Sequence, residues 1–370
     1  MRRLDGLVEL IRQHVTTGYC KSFFELLLAK GKATLQTYVG LPDELATIHE
    51  DLIDGYIPRV YEELDNDKAR NAYFNKAIET ASRKYSRWFE IGPGALGTLS
   101  HMVLDAGSRN TLHSVEAVPL SVTSLQKRFR HEPRFHVVQG LAGITAISRT
   151  PPFQVVLAEI LGHFASNEGY VAILHQCAEN YPSFRDVKMA IPLMFGTKIV
   201  PVDLSRAAHL SIAKIASKLV MINSFPIDET QLSTDHGTME MYNALTEMAE
   251  RSKKPRVFTN TWKMAEARPF HGFGCYLVFG DDDQGWMSSL ECQNWHQVFI
   301  PVGEGMLLSE PGDIIKVTTT CHVHLTEPLY KFAVTLDRSG RRVHSERIVI
   351  RYKDVMSPAH TLRSLKRKKS

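Results

Sequence analysis

The feature that most constrains this chain is the alternation between residues 87 and 192. Short apolar runs, "RWFEIG", "LHSVEAV", "RFHVVQG" and "FQVVLAEI", are separated by segments such as "LGTLSHMVLDAG" and "PLSVTSLQKRF", whose apolar residues recur at helical spacing. Strands that alternate with helices predict βαβ units and a mostly parallel sheet. Residues 1 to about 86 read as helical, with apolar residues three and four apart in "LDGLVELIRQHV" and "FFELLLAKG". After about residue 193 the pattern changes to antiparallel strands: "WHQVFIPV", "IIKVTTTCHVHL" and "KFAVTLDRSGRRVHSERIVIR", with "DRSG" as a hairpin turn. Helical patterns in 205–254 interrupt those strands.

At the end of the first strand stands "FEIGPGALGTLS", which places Gly92, Gly94 and Gly97 between a strand and a helix. Glycines there let backbone approach a ligand, and the helix start offers unpaired N–H groups. The spacing is G-x-G-x-x-G and Glu116 follows as a ribose-binding acid would, so a nicotinamide dinucleotide and its oxidoreductase chemistry are one reading. Glu90, just before the first glycine, argues against it, because a carboxylate would repel a pyrophosphate. An acid at that place suits the amino-acid part of S-adenosylmethionine, as in nucleoside methyltransferases. A further pair of acids, Glu159 and Glu168, lies in "AEILGHFASNEG" directly after the strand "FQVVL". Nine residues is not a same-face helical spacing, so only a loop that folds back would bring the two carboxylates together around a cation.

Three separated pieces resemble the protein arginine methyltransferase family. "AEILGHFASNEG" resembles its double-glutamate loop, "YEELDNDKAR" (61–70) the helix over the cofactor, and "NWHQVFIPV" (294–302) its tryptophan loop and following strand. Their order agrees with that family across roughly 50–355. The resemblance implies an α/β fold: a Rossmann-like class I methyltransferase domain followed by an antiparallel β-barrel-like domain with an inserted helical dimerisation arm, preceded by an N-terminal helical segment. The expected boundaries are 1–47 for that segment, 48–192 for the cofactor domain, 193–356 for the barrel-like domain with its insertion at about 205–254, and 357–370 for a basic tail. It also implies S-adenosylmethionine as cofactor, held by Arg70, Glu90, Gly92, Gly94, Gly97 and Glu116. Glu159 and Glu168 would then clamp an arginine guanidinium, whose five donors suit bidentate carboxylate pairing. Tyr61, Leu64, Asn294 and Trp295 would line the substrate slot, and a homodimer is expected.

The chain departs from that family at several places. Asn294 stands where a loop histidine is expected to pair with the aspartate represented by Asp67, and His296 is displaced by two residues. "QGLAGI" (139–144) lacks an acid for the adenine amine, and the glycine turn is one residue longer than is usual in that family. Composition excludes little: 44 Lys and Arg against 40 Asp and Glu give a net charge of +4, part of it in the tail "RSLKRKKS". Such a balance predicts neither a nucleic-acid partner nor a membrane. It leans toward free L-arginine or a small guanidino compound, with peptide-bound arginine as the alternative. The five cysteines are scattered and odd in number, which suggests reduced thiols in the cytoplasm. Cys321, His322 and His324 in "CHVH" lack the second ligand pair of a zinc site, and His163 in the clamp loop reads as solvent-exposed. A catalytically inactive partner protein is a further reading, against which both glutamates speak.

Overall fold

The computed structural model describes residues 64–147, 151–206, 220–222, 227–283, 285–292, 295, 297–303, 306–325 and 328–351. The expected N-terminal segment, the basic tail, Tyr61, Asn294 and His296 lie outside these residues.

Helix α1 (Lys68–Ser82) begins at Asp67, whose side chain accepts the backbone N–H of Arg70 at 3.1 Å. Asp67 itself is extended (φ −76°, ψ 93°), so it breaks "YEELDNDKAR" into a helical turn at 64–66 and the start of α1. Then follow β1 (Arg87–Ile91), α2 (Thr98–Ala106), β2 (Thr111–Glu116), α3 (Pro119–Arg128), β3 (Phe135–Gln139), β4 (Val155–Ala158), α4 (Tyr170–Asn180) and β5 (Met189–Ile191). The five strands form one parallel sheet in the order β3-β2-β1-β4-β5. Every residue of β4 is buried, as are four of five in β1, because helices cover both faces of such a sheet. This is why "FQVVLA" reads as a continuous apolar run rather than an alternating one.

After Ile191 the chain leaves this sheet, and β6 (Met194–Val202) belongs to another. An antiparallel sheet is built from β6, β7 (Val220–Ile222), β8 (Gly237–Asn243), β11 (Gly272–Asp281), β12 (Gly285–Ser288) and β13 (Gln297–Pro301). A second contains β9 (Arg256–Lys263), β15 (Ile314–His322), β16 (Leu329–Arg338) and β17 (Arg341–Arg351), while β10 (Arg268–Phe270) pairs with β14 (Leu307–Ser309). The side-chain amide of Asn260 joins the two larger sheets. Its Oδ1 accepts the N–H of Thr238 and its Nδ2 donates to the carbonyl of Thr238, both at 2.9 Å. The "DRSG" hairpin is a two-residue turn between paired Arg338 and Arg341, with Ser339 at φ 48° and Gly340 at φ 77°. Positive φ at both turn residues matches the twist of the flanking strands.

The expectation of helices across 205–254 holds only in part. Among the described residues, α5 (Ile227–Thr230) and α6 (Ala244–Glu250) are short helices, whereas 220–222 and 237–243 are strands. "GTMEMYN", which buries Met239, Glu240 and Tyr242, is a strand because β8 pairs along β6, so sheet pairing overrides the helical expectation there.

Phe279 of β11 joins the barrel-like part to helix α1, which precedes the parallel sheet. Its ring meets Tyr73 edge-on at 5.0 Å, stacks on Phe74 at 5.9 Å and meets Trp295 at 5.3 Å. Phe279 and Phe74 are fully buried. Truncation by Phe279→Ala removes the ring shared by all three and is expected to destabilise the fold by about 3–5 kcal/mol, read as a lower midpoint in urea denaturation.

Candidate active site

The strand order reverses between β1 and β4, so their carboxyl ends lie side by side, with Ile91 paired to Ala158. The residues that follow are Gly92 on one strand and Glu159 on the other. Crevices at such reversals in α/β sheets are where ligands bind.

Gly92, Gly94 and Gly97 all have positive φ, at 66°, 68° and 61°. Gly97 has a steric reason as well: a Cβ there would come 2.7 Å from Leu125 Cδ2 and 2.9 Å from Phe129 Cε2. Gly97 ends the turn and precedes α2, whose first residue, Thr98, donates its hydroxyl to the Asp65 carboxylate. That bond ties the 64–67 turn, which includes half-buried Leu64, to the start of α2 directly after the glycine turn.

Glu116, at the end of β2, is 4% exposed and accepts from Gly94 N–H at 2.9 Å and Val118 N–H at 2.7 Å. Burial pushes its carboxyl above the usual range, and these backbone donors pull the other way. Each oxygen retains a second lone pair, so the carboxylate can still accept ribose hydroxyls. Glu90, within β1, is 1% exposed; its Oε2 accepts from Ser100 Oγ at 2.6 Å and Ser114 Oγ at 2.9 Å, and its Oε1 has no partner. Burial raises its pKa to about 7, against the lowering by the two serines.

Arg70 reaches from α1 to the end of β4. One terminal nitrogen pairs with Glu159 Oε2 at 2.6 Å and the other donates to Asn71 Oδ1 at 2.7 Å, while buried Nε has no partner. The Glu159 side chain is only one-tenth exposed; burial pushes its carboxyl up and Arg70 opposes that shift. Glu159 is thus paired with a guanidinium of the chain itself, a contact not expected from the sequence. Glu168 is half-buried just before Gly169, which adopts φ 80° and leads into α4. His163, read as exposed, is half-buried. Trp295 is 4% exposed and donates its indole N–H to the carbonyl of Leu161 at 2.7 Å, so it braces the loop between the two glutamates.

The middle of that loop is held by residues the sequence did not single out. Ser166 is fully buried against Glu240 of β8, and Thr197 of β6 joins them. Only the register of β6 on β8 brings these together, and no local motif carries it. Among the described residues no cluster of three metal-binding side chains occurs, and the His322 and His324 rings lie 6.4 Å apart.

No family model matches the chain, and no curated protein matches it. Its structural neighbours are protein arginine methyltransferases. One is protein arginine methyltransferase 10 of Arabidopsis thaliana, described in a uniquely open conformation, at 15% identity and TM-score 0.64, covering 81% of this chain and 99% of that one. Another is the PRMT1 enzyme–prozyme heterotetrameric complex of Trypanosoma brucei with AdoHcy, at 13% identity and TM-score 0.62, covering 79% of this chain and 97% of that one. The chain therefore has the protein arginine methyltransferase fold: a Rossmann-like parallel sheet followed by antiparallel sheets.

Glu90 makes stability depend on pH. Below pH 4.5 both folded and unfolded chains keep its proton. Between 4.5 and about 7 the unfolded chain releases it while the native state retains it, so this group lowers stability as pH rises through that window. The whole effect is about 3 kcal/mol. Urea midpoints at pH 4.5 and pH 8 should show Glu90→Gln gaining on the wild type by up to that amount.

Proposed function

We propose that this protein is an S-adenosylmethionine-dependent N-methyltransferase acting on the guanidinium of arginine. The observation that carries the reading is the meeting of Glu159 with a guanidinium, that of Arg70, at the carboxyl end of β4 beside the glycine turn. A carboxylate buried at a strand end and already paired to a planar cation is chemically suited to bind one.

The residues present fit the cofactor. Three positive-φ glycines leave the turn without side chains at 92, 94 and 97, Glu116 keeps lone pairs for a ribose, and two buried polar atoms, Arg70 Nε and Glu90 Oε1, lack protein partners. Arg70 Nε would donate to the amino acid's carboxylate, and Glu90 would act beneath the turn on the ammonium side. S-adenosylmethionine, when bound, supplies an electrophilic sulfonium methyl.

Glu159 and Glu168 would hold the substrate guanidinium through charge-assisted hydrogen bonds, fixing which terminal nitrogen faces the methyl donor. Their negative charge also stabilises the cation as the new N–C bond forms. Trp295 keeps the loop in place by its bond to Leu161 and, through its ring, contributes apolar surface that excludes water. Leu64 and Tyr61 would line the slot on the cofactor side, and Asn294 would lie next to Trp295.

Free L-arginine or a small guanidino compound is the substrate we favour, because the chain carries a net charge of +4 and a substrate carboxylate would offset it. Peptide-bound arginine is supported by the names of the structural neighbours, which are protein methyltransferases. A homodimer is the assembly we propose, in keeping with a neighbour that is itself a multimeric complex.

Mass spectrometry of S-adenosylmethionine reactions with free L-arginine and, separately, an arginine-rich peptide discriminates these substrates. A gain of a methyl mass on one of them supports the activity. Thermal protection by NADH but not by S-adenosylhomocysteine would refute it, since only a compound that binds the native state raises the midpoint. In the active assay, Glu159→Gln or Glu168→Gln is expected to reduce kcat at least ~100-fold. Retention of activity in both would remove the clamp.

A further inference from the structure

Glu240 is an expensive residue to keep where it is. It lies on β8, is fully buried, and sits 74 positions along the chain from the residue it binds. Burying a carboxylate costs several kcal/mol unless donors surround it. Here they do: Ser166 N–H at 3.2 Å and Thr197 Oγ1 at 2.8 Å reach Oε1, while Ser166 Oγ and Tyr242 OH, the latter at 3.2 Å, reach Oε2.

The proton count is unambiguous once Glu240 is an acceptor. Ser166 gives its one hydroxyl proton to Glu240, so Tyr330 OH, 2.9 Å from Ser166 Oγ, donates to Ser166. Thr197 likewise gives its proton to Glu240 and uses a lone pair to accept the N–H of Ala165 at 2.9 Å. The backbone N–H groups of two consecutive loop residues, 165 and 166, therefore end on Glu240, one directly and one through Thr197. Next come Asn167, whose Oδ1 accepts the N–H of Phe164 at 3.2 Å, then Glu168 and left-handed Gly169. At the other end, Trp295 holds Leu161. The loop between Glu159 and Glu168 is thus fixed in its middle by the barrel-like part, not by its own strand or helix.

We propose that Glu240 is a positioning residue for the double-glutamate loop, setting the place of Glu168 relative to Glu159 through Ser166 and Thr197. This rests on the clamp function proposed for those two glutamates. A carboxylate suits the task better than an apolar residue, because it alone can take four converging donors. An amide in its place brings two N–H groups into a site that already consists of donors.

The test uses Glu240→Gln, with Thr197→Val and Thr197→Ser as a second pair if the first variant does not fold. In the wild type, methylation of an arginine substrate is measured first. Absence of any such activity refutes the proposed function, and the positioning role with it. With activity present, Glu240→Gln is expected to lower kcat/KM for the guanidinium substrate by tenfold to a hundredfold, with the Kd for S-adenosylhomocysteine unchanged within twofold. Hydrogen exchange at residues 165 and 166 should accelerate, while the β6 and β11 amides keep their wild-type protection. Thr197→Val should reproduce both effects, and Thr197→Ser, which keeps the hydroxyl, should restore both. Wild-type kcat/KM in Glu240→Gln overturns the proposal. So does a loss accompanied by equally weakened cofactor binding and faster exchange throughout the barrel, which would make Glu240 a general stability residue.

Discussion

The reversal of strand order between β1 and β4 is the constraint on which the site depends. It leaves a gap at the carboxyl edge that no crossover helix fills, and the chain leaves both strands there with the residues that matter: a glycine turn from β1 and Glu159 from β4. Because the strands are parallel and in register, Gly92 and Glu159 follow a paired Ile91 and Ala158. The site is therefore fixed by backbone hydrogen bonding deep in the core, where side-chain motion has little influence. Contact is close: a Cβ on Gly92 would lie 3.2 Å from Ile160 Cγ2.

Crowding of buried acids is the electrostatic signature of this region. Burial alone pushes Glu90, Glu116, Glu159 and Glu240 upward, yet each is given a different remedy. Two serine hydroxyls serve Glu90, backbone amides serve Glu116, a guanidinium serves Glu159, and a mixed set of hydroxyls and one amide serves Glu240. Such groups are costly for stability and are characteristic of sites where charge is handled. Arg70 serves one of these acids, since one side of its guanidinium engages Glu159 while Nε is left for another acceptor. In the proposed function, a substrate guanidinium and Arg70 would share Glu159, which ties the position of the cofactor-side helix to the substrate slot.

The barrel-like part fastens the loop between Glu159 and Glu168 without supplying either glutamate. Trp295 and Glu240 bond the double-glutamate loop at separate points, and Phe279 packs Trp295 against the same helix that carries Arg70. A polar bond, an ionic network and an aromatic cluster thus fasten one loop to two structural layers. Loss of any of them would alter the loop before it altered the sheet, because the parallel strands have their own ladders and buried faces.

Much of this was legible in the sequence because its signals are local. Periodicity changes at 87 and 193 marked the parallel and antiparallel parts, the apolar run "FQVVL" marked a doubly covered strand, and "DRSG" marked a hairpin whose residues adopt the required positive φ. The three glycines, Glu90, Glu116, Glu159 and Glu168 were singled out as candidates from strand ends and turns, where residue type and place are adjacent in the chain. Other features were not legible, and the reason is sequence separation. The helical expectation for 205–254 gave way at 237–243 to pairing with β6, and that same pairing brought Glu240 to Thr197 and Ser166. The ion pair of Arg70 with Glu159 spans 89 residues. The sequence by itself determined the alternating elements of the parallel sheet and which residues stand at their ends, since those depend on neighbours a few residues away. Only the tertiary structure decided which carboxylate meets which donor, because a hydrogen bond is made by atoms within about 3 Å, whatever the length of chain between them.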